Sequence, residues 1–478
     1  MTSIALAPDT GTDTGTETGT VQAPLPIDLL RQFDVPGPRY TSYPTADCFV
    51  ESFGENDYVR ALARRRAAGP EAPPLSLYVH IPFCESLCYY CACNKIVTRH
   101  REWGRQYLAY LAREVELQVA QLGRSATVSH LHLGGGSPTF LDDAELGELM
   151  ALLHRAFAFV PGGERSIEID PRTVDAQRLS NLAALGFNRL SFGVQDFDPA
   201  VQEAVHRIQP ASQVFALMDE ARSLGFESIN VDLIYGLPRQ NAASFERTLA
   251  QVCGLRPDRI ALYAYAHLPE RFKPQRRIHA EELPDAAARV RMLANAIARL
   301  TGAGYVYIGM DHFALPDDPL AVAKKQGRLH RDFQGYGTRP EGDLIALGVS
   351  GIGRVGATYS QNAKSLDDYR ALLDQGRLPV VRGLALSRDD LLRREVIMAL
   401  MCRGRLDFDA IGEAFAVDFR RYFATEFAAL GPLVADGLVR LSDHDLVVTE
   451  EGWFLVRAVA MVFDRHCRAN RTRFSRVV

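Results

Sequence analysis

No stretch of this sequence approaches the roughly 18–20 consecutive apolar residues that a membrane-spanning helix needs, and an α-helical membrane protein is thereby excluded. Positive charge is not in excess either. A net charge of −4 and a pI near 6.3 supply no field for nucleic acid or an anionic membrane surface, so neither partner is expected. The N-terminus lacks the basic and apolar regions of a secretory leader, because residues 1–26 form a Thr/Gly/Asp/Ala tract; a cytoplasmic location is expected. Against these absences, 47% hydrophobic and 23% charged residues over 478 positions describe an ordinary folded protein, long enough for roughly two to four domains.

Residues 9–20 (DTGTDTGTETGT) have almost no apolar side chains to offset their ordering entropy, and residues 1–25 read as a disordered tail. Residues 26–74 follow as an N-terminal arm. Its GPRYTSYPT segment, Gly37 to Thr45, is either a structured strap or a closure over a ligand. From residue 75, short β-branched or aromatic runs alternate with helical spacing of apolar residues. Strands are predicted at 75–81, 128–133, 166–169, 189–194, 229–234 and 259–265, and helices at 105–122, 142–157 and 285–301, the last leading to an apolar run at 305–308. Six βα units in series argue for α/β architecture, a partial (β/α)6 barrel rather than a doubly wound sheet. Chemistry in such barrels sits at the C-terminal strand ends. The barrel and its extension are assigned to 75–375.

Residues 376–478 read as a mostly helical, winged-helix-like domain, with helices at 389–403, 408–415 and 419–436, a hairpin at 438–449 and a last helix through 463. Residues 386–478 hold 14 Arg and no Lys against 14 Asp and Glu, too balanced for a phosphate-tracking module. A packing lid is expected instead.

Of eight cysteines, Cys84, Cys88, Cys91 and Cys93 fall within ten residues, whereas Cys48, Cys253, Cys402 and Cys467 are scattered. In a reducing compartment such a cluster points to metal binding or catalysis rather than disulfides. Structural zinc sites use two separated Cys/His pairs, and no second pair lies at a suitable distance. A [4Fe–4S] cluster takes one thiolate per iron, so CxxxCxxC at 84, 88 and 91 would leave one iron open to a ligand. Beyond the second strand lies GGGSPT, Gly134 to Thr139, where missing Cβ atoms permit close backbone approach. Glu168 and Asp170 end the third strand, Gln195 the fourth and Asp232 the fifth, and all can accept hydrogen bonds from a polar or cationic ligand. A structural cap is the rival reading of each.

The CxxxCxxC spacing at a first strand end resembles the radical S-adenosylmethionine (SAM) enzymes. More specifically, GPRYTSYPT, YVHIPFC, GGGSPT, EIDPR, SFGVQDF, HRIQP, YGLPRQ, YAHLPERFKPQRRI, GMDHFALPDD, HRDFQGY and the C-terminal FSRVV resemble, in order, the oxygen-independent coproporphyrinogen III oxidases of haem biosynthesis. The resemblance implies a 5′-deoxyadenosyl radical made from SAM, and oxidative decarboxylation of two propionates of coproporphyrinogen III to vinyl groups, giving protoporphyrinogen IX. It implies a cluster on Cys84, Cys88 and Cys91, with Cys93 not a ligand. SAM contacts are implied at Tyr78, Gly135, Gly136, Ser137, Glu168, Gln195, Arg207, Asp232, Ala266 and Ile352. A second SAM is implied, with Tyr90, Gly136 and Ser137 contributing. The family usually has Thr where Ser137 stands, a departure that keeps the hydroxyl. An electron donor and an electron acceptor are required, and a monomer is expected. Arg39, Arg276, Arg277 and the His330-Arg331 pair are candidates for the substrate carboxylates. The paralogous haem chaperone shares the barrel and cysteines but lacks the arm, typically has Phe in place of Cys93 and departs from GMDHFA. A zinc-stabilised winged-helix regulator is the rival from another class.

Overall fold

The computed structural model describes residues 27–33, 35–123, 126–338 and 342–467. The tail at 1–25 and the FSRVV motif therefore lie outside the described residues.

Six strands, β1 Leu75–Ile81, β2 Thr127–Gly135, β3 Ala158–Ile169, β4 Arg189–Gln195, β5 Ser228–Tyr235 and β6 Arg259–Ala264, lie side by side in chain order. Every neighbouring pair among them is parallel. The array does not close on itself. Along the chain follow β7 Val306–Gly309, β8 His312–Ala314, β9 Leu344–Leu347, β10 Ile352–Val355, β11 Thr358–Asn362 and β12 Val380–Ala385. β8 covers the free edge of β6 in the antiparallel sense, and β9 covers that of β1 in the parallel sense. Twelve strands thus form one sheet, in the order β12-β11-β10-β9-β1-β2-β3-β4-β5-β6-β8-β7. This is the partial α/β barrel expected from periodicity.

The crossover helices follow from local chemistry. Glu102–Leu122 buries Leu108, Leu111, Val115, Val119 and Leu122 against the sheet, each such side chain contributing about 1.5–3 kcal/mol, and it stops at Gly123, whose φ of +85° ends the helix. Asp143–Ala156 starts from a reciprocal cap in which the Glu145 N–H donates to Asp142 Oδ1 at 2.8 Å and the Asp142 N–H to Glu145 Oε2 at 3.0 Å.

Four readings need correction. β12 belongs to the barrel sheet through its ladder with β11, so the sheet runs past the boundary drawn at residue 376. The helix expected at 419–436 is three short ones, Phe419–Tyr422, Ala424–Ala429 and Gly431–Ala435, and Pro432, with no N–H to continue the ladder, accounts for the second break. The last helix is also interrupted, into Glu450–Phe454 and Val456–Met461. The hairpin gains a third strand, Arg405–Asp407, against Asp445–Val448.

The arm is packed rather than loose. Tyr40 and Tyr43 are fully buried; the Tyr40 hydroxyl donates to Asp464 at 2.9 Å, Arg457 Nε to the Pro38 carbonyl at 2.7 Å, and Arg331 Nε and Nη2 to the Arg39 carbonyl at 3.2 Å. No helix among the described residues is long and apolar enough to cross a membrane.

Candidate active site

β1 runs out into Phe83–Cys84, which pairs with Ile96–Val97 and closes residues 85–95 into a loop. Its neighbours fix that loop. The Tyr89 N–H donates to the Val205 carbonyl at 3.0 Å, the His206 ring bonds the Leu87 carbonyl through Nδ1 at 2.9 Å and stacks on Tyr89, and Gln275 Nε2 donates to the Tyr90 carbonyl at 3.0 Å. The HRIQP segment therefore serves the loop. Cys88 is buried, Cys84 and Cys91 half-buried, and Cys93 exposed. Guanidinium groups face the thiols, with Arg207 Nη1 at 3.4 Å and Arg172 Nη2 at 3.5 Å from Cys88 Sγ. Both also reach Asp170, at 3.2 Å and 2.6 Å. Burial works to raise the Asp170 carboxyl, but Arg207 and Arg172 hold it below its ordinary value. Burial, then the thiols of Cys91 and Cys88, push Cys84 up to about 12, whereas a hydrogen bond from Cys93 is the chief cause that brings Cys91 down to about 6.

The donor set suits a cubane. No group of His, Cys, Asp and Glu among the described residues converges to hold a single metal ion, whereas three thiols spaced along one loop, faced by two arginines, match a cluster that takes one thiolate at each of three corners.

The strand ends supply the opposite wall. Alternation puts Tyr78 and His80 on one face of β1. The Tyr78 hydroxyl bonds His80 Nδ1 at 3.0 Å, and its ring stacks on His132, its register partner on β2, at 5.9 Å. Glu168, with 44% of its side-chain surface open, accepts the Gly135 N–H at 3.1 Å and faces His132 Nε2 at 3.4 Å. Burial works to raise this carboxyl, yet His132 and the Gly135 N–H hold it below its ordinary value. Asp232 accepts from Asn230 at 2.9 Å and Ser191 at 3.2 Å, and burial, reinforced by Glu168, pushes it up to about 6. Gly135 has φ +114°, and a Cβ on Gly136 would stand 2.7 Å from the Pro82 backbone. The Gly136 and Ser137 N–H groups donate to Ile81 and Phe83.

Around this wall lie Gln195, with φ +68° at the end of β4, Ala266 just past β6 and Ile352 on β10. The Ser137 hydroxyl is buried against Thr139. Arg39 sits over the Tyr263 ring at 5.3 Å, beside Asp311, and Arg331 is buried with Nη1 unpartnered. His330 is half-buried in a short hairpin next to Arg331. Arg276 and Arg277 are exposed, outside this group. His80, His132 and Arg172 were missed in the sequence; only the polar alternation of β1 and β2, and the Arg of EIDPR, could have marked them.

The profile of the Radical SAM superfamily matches residues 78–252, and that of the HemN C-terminal domain residues 386–455. The chain is 50% identical over 454 residues to the oxygen-independent coproporphyrinogen III oxidase of Pseudomonas aeruginosa, covering 94% of this chain and 98% of that one. Identity to the Escherichia coli oxidase is 48%, with the same coverage. A solved structure of coproporphyrinogen III oxidase (HemN) from Escherichia coli, described as a radical SAM enzyme, superposes with a TM-score of 0.87 at 46% identity, over 92% of this chain and 99% of that one.

The chain belongs to the oxygen-independent coproporphyrinogen III oxidases. As a member of that family it is a radical SAM oxidoreductase, and membership implies a [4Fe–4S] cluster and SAM. The haem chaperone and the zinc regulator are not favoured.

Proposed function

We propose that this oxidase converts coproporphyrinogen III to protoporphyrinogen IX without oxygen, with Cys84, Cys88 and Cys91 holding the cluster and Cys93 outside the ligand set. The observation that carries this reading is that Tyr78, Glu168, Asp232 and the Gly135-Gly136 turn form one polar group, which meets the loop bearing those cysteines where the His80 ring bonds the Asn94 carbonyl at 2.9 Å. Held by Cys84, Cys88 and Cys91, the cluster would with SAM supply the one-electron chemistry that starts hydrogen-atom abstraction at a propionate β-carbon, with carbon dioxide and one electron leaving for an external acceptor.

The chain's own residues bind, orient and exclude water. Arg207 and Arg172 set two guanidinium groups against Cys88 Sγ and tie them to Asp170. Glu168 and Asp232 are hydrogen-bond acceptors for the polar and cationic parts of SAM, assisted by Tyr78, Gln195, Ala266 and Ile352. The Gly135-Gly136-Ser137 turn, with its N–H groups held by Glu168, Ile81 and Phe83, would stand beside the amino-acid end of SAM. A second SAM, near Tyr90, Gly136 and Ser137, belongs to the same proposal. Arg39 and Arg331 are the cations for a reacting propionate: a buried guanidinium with a free N–H is costly without an anion. The arm at 26–74 and the C-terminal segment close the cavity, as a monomer.

Anaerobic incubation of cluster-loaded protein with SAM, a reductant and coproporphyrinogen III should give protoporphyrinogen, read by chromatography as its oxidised porphyrin. Haem binding with no vinyl product would overturn the assignment.

A further inference from the structure

Six cations lie on the segment after β6, beside Asn94 of the cysteine loop and on β12, and among the described residues none has a carboxylate partner. Arg271, Lys273, Arg276 and Arg277 lie on the segment after β6 whose Gln275 holds the Tyr90 carbonyl, and Arg277 lies over the Tyr89 ring at 5.2 Å. Across the loop, Asn94 Nδ2 donates to the Lys364 carbonyl at 3.0 Å. The sixth, Arg382 on β12, is opposite Gln361 on β11, which is opposite Ile352 on β10. Directly opposed residues share a sheet face, so Arg382 lies about 10 Å, two strand spacings, from Ile352 on the side facing the SAM wall. Its Nε donates to Gln361 Oε1 at 2.6 Å. Partial burial, with Arg382 and Arg271 adding to it, draws the Lys364 ammonium below its ordinary value.

Elsewhere on the surface some arginines pair with carboxylates, as Arg113 does with Asp374, Arg247 with Asp198 and Arg403 with Glu395, and others such as Arg66 and Arg388 do not; what sets this rim apart is that its cations stand close enough for Arg382 and Arg271 to act on Lys364, with Arg382 in register with Ile352. In a protein of net charge −4, a run of unpaired cations converging on one rim is a local excess that an anionic ligand would relieve.

We propose that Arg382, Lys364 and Arg271 form a receptor for those substrate carboxylates that are not reacting, with Arg276 and Arg277 extending it outward. The inference rests on the reaction assigned above. Coproporphyrinogen III carries four propionates, and only one can be at Arg39 and Arg331 while it reacts. The others remain carboxylates around the macrocycle and need cations wherever water is excluded. After the first decarboxylation the molecule keeps three carboxylates and must turn to present another propionate. A rim with more cations than any single orientation uses can hold the monovinyl tripropionate through that turn, so that both decarboxylations follow from one encounter.

The test uses cluster-loaded full-length protein, with iron content as the check on folding. Affinity for coproporphyrin III, the oxidised form of the substrate, is titrated by fluorescence, and turnover is driven by dithionite. Arg382→Gln and Lys364→Gln should each weaken binding about tenfold, as loss of a hydrogen bond to a charged group does, and should raise the released monovinyl-to-divinyl ratio several-fold. Lys364→Arg should restore both. Unchanged affinity and product ratio beside an active wild type would overturn the receptor alone. So would variants impaired only when an acidic electron-carrier protein replaces dithionite, since the rim would then dock the donor. A wild type that makes no vinyl product would overturn the assigned reaction as well.

Discussion

Cys93 differs from its three neighbours in place and in chemistry: it is exposed, and its thiol donates to Cys91. Ser at 84, 88 or 91 should remove the cluster and all SAM cleavage, whereas Cys93→Ser should keep iron content and absorbance largely intact after reconstitution and impair only turnover. Equal iron loss in all four variants would make Cys93 a ligand. Asp232 gives a pH-dependent counterpart. Its carboxyl stands at about 6 in the folded chain, above the roughly 3.9 of an unfolded one, so its stabilising contribution is complete below the unfolded value and is lost as pH rises through about 6. A cationic ligand prefers the ionised form. SAM affinity should therefore be flat above about pH 7 and about tenfold weaker at pH 5. Asp232→Asn should abolish that dependence and weaken SAM binding by about 1.5–3 kcal/mol at pH 7.5 without lowering the melting temperature, as calorimetry would read. A normal affinity with a lower melting temperature would make Asp232 a structural cap.

At the scale of elements, the turn after β2 has little tolerance. A Cβ on Gly136 would meet the Pro82 and Phe83 backbone at 2.7–2.8 Å, and backbone cannot rotate aside. Gly136→Ala should cost about 1–3 kcal/mol through overpacking, seen as a lower melting temperature together with a cluster lost faster to chelators. The barrel strands were legible because each carries a compact β-branched or aromatic run. The first half of β3 was not: Pro161, Gly162 and Gly163 interrupt its apolar run, yet the strand continues through them. β9 to β11 escaped notice because Gly348, Gly351, Gly353 and Gly356 cut their apolar runs short. Local motifs likewise exposed the cysteines and glycines of the site. His132 could not be found that way, since its place beside Tyr78 and Glu168 comes from register between separate strands.

At the scale of the whole molecule, the arm joins the barrel extension to the C-terminal segment. Arg457 donates to the Gly37 and Pro38 carbonyls, Tyr40 to Asp464, and Tyr43 lies against Tyr359. Removing residues 1–25 should leave turnover nearly unchanged. Deletion through Thr45 should abolish it while the cluster still assembles, because Arg39 is lost and the cavity loses its cover; near-normal turnover after the longer deletion would show that the arm is dispensable. Arg457→Ala should strand those two carbonyls and cost about 1–3 kcal/mol, measurable by denaturant melting.

The Tyr40–Asp464 bond spans 424 positions, and this has a consequence for biosynthesis. The arm leaves the ribosome before the barrel strands, and Arg457 and Asp464 follow only after them. A nascent chain can therefore complete its barrel, whose strands pair in order of emergence, long before the arm has anything to close against. Until Arg331, Arg457 and Asp464 have emerged, the arm lacks the partners that hold it, so its docking follows the pairing of the barrel strands.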